Sequence, residues 1–425
     1  MSEMHEQAGT PRPPAGCPRL ASLVPDPTIF ASHDWGRAPR HTRAAELNGA
    51  ASGLFSEDAV DELVAARGLR TPFLRVARDG ATLGDREFTA PGGVGATISD
   101  QLSDDKLLRL FAQGSTMVLQ ALHRTWAPLV DFAQGLGAEL GHPVQVNGYV
   151  TPAQSRGFDD HYDVHDVFVL QVAGTKHWRV RPPVHDHPLR NQPWTDHRAA
   201  VAEAATHPAQ IDVVLAPGDS LYVPRGWLHS ATALGGASTH LTMGIHTWTR
   251  YHLAEAVVAE AMSVLAKDSR WRQALPVGVD VGSAHQVGSD LDQVRERLRE
   301  VLAGLDDDDV GERLARSSRV AQRAAPVRPL ATLAAADALT ATDRLVLRQH
   351  VAPRAAPWGE AGGVQVLSRA GSSVLDAAEW SAASPLLFGH QAAAVGDLGD
   401  GLARRLLVEG LAVVCPSTLP GAGAQ

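Results

Sequence analysis

Apolar and polar positions divide this chain into a mixed front, a β-patterned middle and a helical back. Ahead of residue 143, Ser56 to Arg67 carries an apolar stripe (Ala59, Val60, Leu63, Val64) behind a capping serine, which predicts a short helix. Phe73 to Val76 predicts a strand, and residues 103–113 and 115–140 predict helices, the second interrupted by Pro128. From Pro143 to about Trp248 the pattern becomes short apolar runs separated by turn residues, as an antiparallel β region requires. Past Trp248 two stripes at helical spacing follow, Leu253–Val257–Met262–Leu265 and Leu291–Val294–Leu298–Val301–Leu302–Leu305. The acidic run Asp306 to Asp309 then predicts a solvated loop. In the last hundred residues Thr342–His350 and Leu398–Gly410 predict helices. Residues 364–367 and Leu411–Val414 predict strands, and Ser384-Pro385-Leu386 opens a short element.

The β region holds the chemistry. His161 and Asp163 are two residues apart, so a strand would set an imidazole and a carboxylate on one face. Two imidazoles and one carboxylate on a metal with open positions form the set used by non-haem Fe(II) oxygenases. His229 supplies the second imidazole after the turn Pro217-Gly218-Asp219, the short strand Leu221–Val223 and the bend at Arg225-Gly226. Its rivals are His240 and His246, which share a strand face with Thr242. Three consecutive same-face residues span about 13 Å, too far for one ion, so His165 is placed at the pocket rim or satisfied structurally. Lys176 has the wrong parity to share a face with His161, unless Gly174-Thr175 turns the chain and starts a new strand. A second metal site from His185, His187, His197 and His207 is disfavoured by their irregular spacing, and the segment 181–208 reads as a lid or substrate-side loop.

The combination N-x-Y-x-T-P at Asn147, H-x-D at His161, D-V-F-x-L-Q-x-x-G-x-K-x-W at Asp166, P-G-D-x-L-Y-x-P-R-G-x-x-H at Pro217 and S-T-H-L-T at Ser238 resembles the JmjC-type 2-oxoglutarate oxygenases of the cupin superfamily. Among them it most resembles the ribosomal oxygenases. The resemblance implies an α+β fold: a double-stranded β-helix (jelly-roll) barrel with flanking helices. It also implies that His161, Asp163 and His229 hold Fe(II), that Lys176 binds the distal carboxylate of 2-oxoglutarate, and that Asn147, Tyr149, His240 and Thr242 lie about the co-substrate. The implied reaction uses O₂ to hydroxylate an arginine or histidine side chain of a ribosomal protein. His177 stands where that family often has a basic residue.

Composition narrows the alternatives. The 425 residues are 44% hydrophobic and 20% charged, as in globular proteins with more than one domain. A formal charge of −9 gives no footprint for general nucleic-acid binding. Cys17 and Cys415, near opposite ends, offer neither a disulfide framework nor a thiolate cluster. No apolar run approaches the ~20 residues that span a bilayer, and the polar, proline-rich start has no apolar signal core. A cytoplasmic protein is expected. Gly92-Gly93-x-Gly95 lacks the strand and helix that a dinucleotide fingerprint needs.

The expected organisation is a flexible lead-in over 1–27, a catalytic domain over 28–250, a helical dimerisation segment over 251–325 and a winged-helix-like domain over 326–425, the last two by resemblance. Within the same chemistry, a free amino acid, a peptide or a natural-product intermediate could be the substrate, and an N-methyl target would yield demethylation. A non-catalytic cupin used for binding is the reading from a different class.

Overall fold

The computed structural model describes residues 16–415, except 48, 50, 52, 79, 96, 156, 157, 360 and 361. They form two compact units, divided between Thr247 and Trp248. Of the expected lead-in, residues 1–15 lie outside the described residues. The rest is not loose: Leu20, Leu23 and Val24 are buried in the main core, because this stretch supplies apolar side chains that a polar tail would lack.

A nine-stranded antiparallel sheet builds the first unit. Its strands are β1 (Arg40–Thr42), β2 (Leu74–Arg78), β3 (Ala81–Thr82), β4 (Thr116–Leu119), β5 (Val144–Thr151), β6 (Asp166–Arg181), β7 (Ile211–Leu215), β8 (Ser220–Val223) and β9 (Leu228–Ile245). The order is β1-β8-β6-β9-β5-β4-β2-β3, with β7 on the far half of β6. Strand β4 corrects the expected helix over 115–140. Thr116-Met117-Val118-Leu119 is buried at all four positions and pairs with β2 and β5, so burial on both faces overrode helical spacing. The helix begins later, as Ala127–Leu140, with Pro128 in its first turn, where a missing N–H costs nothing. The expected helices at 56–67 and 103–113 are present, capped by the Ser56 and Ser103 hydroxyls.

The pair β6–β9 is the backbone of the unit, and it is irregular at one place. Gln171 pairs with His240 and Ala173 with Thr239, so Val172 is an unmatched residue. Residues 235–238 then lie opposite Gly174. One extra residue reverses which face every following side chain takes. Thus Val167 and Val169 face the interior before the bulge, and Lys176 and Trp178 after it. The expected new strand at Gly174 is therefore a bulge within one continuous strand. Gly174 sits at φ 62°, and a Cβ there would come 2.0 Å from the Ala237 carbonyl oxygen. The Gln171 carboxamide clamps the bulge, donating to the Ala173 and Gly174 carbonyls and to the Ser238 hydroxyl.

In the second unit, helices Arg250–Lys267 and Ala284–Ala303 carry the two expected stripes, and a third helix, Asp307–Ala321, was not expected. The acidic run is not a loop: Asp306 caps the third helix, and Asp307 to Asp309 form its first turn, where the helix dipole favours negative charge. Farther on, Arg344–Leu347 is a strand between Ala393–Ala394 and Ala412–Val414, which corrects the expected helix over 342–350. Leu345, fully buried, fixes it in the core with Leu386 and Leu406. A second three-stranded sheet comprises Arg354–Trp358, Gly363–Ser368 and Gly371–Leu375. Pro385 lies inside the helix Ala377–Leu387 rather than opening an element. The expected 398–410 helix is present as Asp400–Val408.

Candidate active site

The H-x-D pair sits just ahead of β6 and is tied to β9 rather than lying on a regular strand of its own. His161 makes a single antiparallel bridge with His229: each backbone N–H donates to the other's carbonyl, at 3.2 and 2.8 Å. The Gly226 N–H donates to the Asp163 carbonyl at 3.0 Å, so the bend before β9 grips the same segment. A Cβ on Gly226 would meet the His185 carbonyl oxygen at 2.7 Å, and its φ is 87°. Glycine alone suits that corner.

These backbone ties bring three side chains together. One ligand atom each from His161, Asp163 and His229 lie within 4.8 Å of one another, and no other such group of three occurs among the described residues. His229 Nε2 is 3.6 Å from Asp163 Oδ2. His161 Nδ1 is 2.7 Å from the Asp159 carbonyl oxygen and His229 Nδ1 is 3.2 Å from that of Trp227. A carbonyl can only accept, so each Nδ1 carries the proton and each Nε2 lone pair is left for a cation. Burial pushes the Asp163 carboxyl up, but His165, His229, His161 and Arg75 outweigh it and hold it below its usual value. Burial, reinforced by His161, lowers His229 to about 4, so its ring is neutral at pH 7. The donor set fits a divalent metal with open positions.

Behind the triad lies a cavity of about 250 Å³, lined among others by Tyr149, Lys176, Trp178, His240 and Thr242. Lys176 is 3% exposed, and its ammonium donates to the Thr151 hydroxyl at 3.0 Å. It has no carboxylate partner among the described residues. Desolvation lowers it to about 7. A buried cation of this kind calls for an anion from outside.

Of the remaining predicted residues, Tyr149, His240 and Thr242 line this cavity. His240 stacks on Tyr149 at 4.9 Å, stands edge-on to Trp178, and is not in the close triad. Asn147 is opposite Thr242 in register but does not line the cavity: its Oδ1 accepts from the Ala121 N–H at 3.0 Å, holding a left-handed turn. His246 packs on His165 at 5.3 Å, outside the cavity lining, as does His165. In the loop after β6, His185 and His197 stack at 4.7 Å without forming a metal group. The loop does send Trp194 into the cavity wall. Sequence reasoning missed Arg75, Thr116, Thr151, Phe158 and Trp194. Thr151 lay within the N-x-Y-x-T-P motif, whereas nothing local marks Arg75 on β2.

The chain carries a JmjC domain: residues 132–253 match that family, and the fold is the cupin architecture with added helices. It resembles the ribosomal oxygenases. It is 31% identical to ribosomal oxygenase 1 of Gallus gallus over 258 residues, 59% of this chain and 40% of that protein. It is 33% identical over 142 residues to the bifunctional lysine-specific demethylase and histidyl-hydroxylase NO66 of Drosophila persimilis, 32% of this chain and 19% of that protein. The chain thus spans less than half the length of these relatives. Among solved structures, the Escherichia coli ribosomal oxygenase YcfD has the same fold, with TM-score 0.51 and 17% identity over 92% of this chain and 99% of that one. YcfD is also known in complex with cobalt and 2-oxoglutarate. No helix among the described residues is long and apolar enough to cross a membrane.

Proposed function

We propose that this protein is an Fe(II)- and 2-oxoglutarate-dependent dioxygenase that hydroxylates an unactivated C–H bond of an arginine or histidine side chain in a ribosomal protein. One observation carries the reading: a His-Asp-His set and a buried ammonium with no carboxylate partner among the described residues share one small cavity. A binding barrel needs neither. With iron, 2-oxoglutarate and O₂ present, such a site replaces a C–H hydrogen by hydroxyl while 2-oxoglutarate leaves as succinate and CO₂. His161, Asp163 and His229 would hold the metal. Lys176, steadied by Thr151, takes the distal carboxylate, with Tyr149, His240 and Thr242 walling the co-substrate. Trp178 and the valines of β6 keep water out. Asn147 acts one step away, by fixing the turn at Ala121.

The ribosomal target rests on likeness to proteins so named. We also carry from that likeness a homodimer formed through the helical segment of residues 251–325 and a winged-helix-like interaction role for residues 326–425. The deciding measurement is 2-oxoglutarate consumption by the full chain, with and without Fe(II), beside His161→Ala. Iron-dependent turnover, reduced at least hundredfold in the variant, is expected; equal turnover in both sinks the reading. Ribosomal proteins from cells with and without the chain should differ by one oxygen on one peptide in mass spectrometry.

A further inference from the structure

Two aromatic rings border the triad: Phe158 lies 5.9 Å and Trp194 6.3 Å from the His161 ring, and both line the cavity. Bare aromatic faces next to a metal site would attract a cationic side chain. Here each ring already has a guanidinium of this chain over it, Arg75 at 5.4 Å from the Phe158 centroid and Arg198 at 4.9 Å from that of Trp194. Arg75 itself lines the cavity beside Tyr149 and has no ion pair among the described residues. Its buried Nε has no partner. Nearby carboxylates do not cancel it. Asp163 belongs to the proposed metal set, and Asp160 is engaged by Arg181 and the Ser230 hydroxyl.

We propose that Phe158 and Trp194 receive a flat, uncharged side chain, of which neutral histidine is the natural case, and that Arg75, aided by Arg198, turns away a cationic one such as arginine. The proposal rests on the oxygenase reading and narrows its substrate class. A second guanidinium entering about 6 Å from Arg75, at an effective dielectric of about 20, is disfavoured on the order of a hundredfold. A neutral ring loses nothing to that repulsion and still stacks.

The test uses three heptapeptide libraries with randomised flanks and histidine, arginine or citrulline at the centre. Citrulline has arginine's shape without its charge. Binding is read by tryptophan fluorescence and oxidation by mass gain. Histidine and citrulline libraries are expected to bind and to gain oxygen at least tenfold better than the arginine library. In Arg75→Gln, which stays polar but drops the charge, the citrulline-over-arginine ratio should fall by tenfold or more; Arg198→Gln should lower it less. Arginine preferred to citrulline, or an unchanged ratio in Arg75→Gln, overturns the proposal while iron-dependent 2-oxoglutarate turnover keeps the oxygenase reading. Failure of all three libraries to bind also overturns it. Loss of 2-oxoglutarate turnover alone condemns the parent reading, and the binding order still judges this one.

Discussion

Burial of the Lys176 ammonium beside a hydroxyl instead of a carboxylate makes the cavity's charge depend on pH. The folded protein releases this proton near pH 7, whereas the unfolded chain holds it to about 10.5. Between those values the unfolded state binds more protons, so this group's contribution to stability rises with pH across that window. Urea midpoints of the metal-free protein at pH 6.5 and 9 should show an upward slope that is absent in Lys176→Met. Dicarboxylate binding needs the charged form and runs the other way: affinity should fall by about tenfold per unit above pH 7. At fixed pH 6.5, Lys176→Met should weaken 2-oxoglutarate binding by about ten- to a hundredfold in calorimetry, the range of a charge-assisted hydrogen bond. At this scale the sequence was informative where a residue's role is written into its neighbours. His161, Asp163, His229 and Lys176 stood in motifs, and the structure brings them to one cavity. Asn147 also stood in a motif, yet its carboxamide is turned to a backbone N–H, which spacing cannot report.

Elements explain why the cavity has two chemically different ends. The bulge at Val172 lets one strand serve both, presenting valines before it and Lys176 and Trp178 after it. Gly174→Ala should therefore cost about 3 kcal/mol or more, since it adds a disfavoured left-handed φ to a steric overlap with the Ala237 carbonyl. Denaturant titration measures that loss, with 2-oxoglutarate affinity dropping alongside because Lys176 changes face. A second hinge of the design is the buried Tyr222 hydroxyl, which donates to Asp166 Oδ2 at 2.6 Å and accepts from the Gly36 N–H. Tyr222→Phe strands both partners, and a loss of about 1–3 kcal/mol is expected in the same titration. Strand β4 was unreadable as a strand because burial on both faces erases the alternation that distinguishes strand from helix; the strand at 344–347 is only four residues long, with Leu345 alone fully buried, too short for its alternation to show. Asp306 to Asp309 misled for a different reason: a charge run has the same composition in a loop and in a helix's first turn.

Across the whole molecule, the division at Thr247–Trp248 separates a unit that holds every cavity residue from one that holds none. Each has its own buried apolar core. Ligand stabilisation should be correspondingly local. Hydrogen exchange with a divalent metal and 2-oxoglutarate added should slow amides in residues 144–246 and leave residues 330–415 unchanged; uniform protection would contradict the site's confinement to the first unit. The sequence by itself determined which residue types carry the chemistry and that a β region would hold them, because motif spacing and turn chemistry are local properties. Only the tertiary structure decided that Arg75, Phe158 and Trp194 share the cavity with the triad, that His240 stands outside the triad, and that Lys176 faces inward. Those outcomes depend on strand register and on one bulged residue, which no stretch of sequence contains without the partner strand that it pairs with.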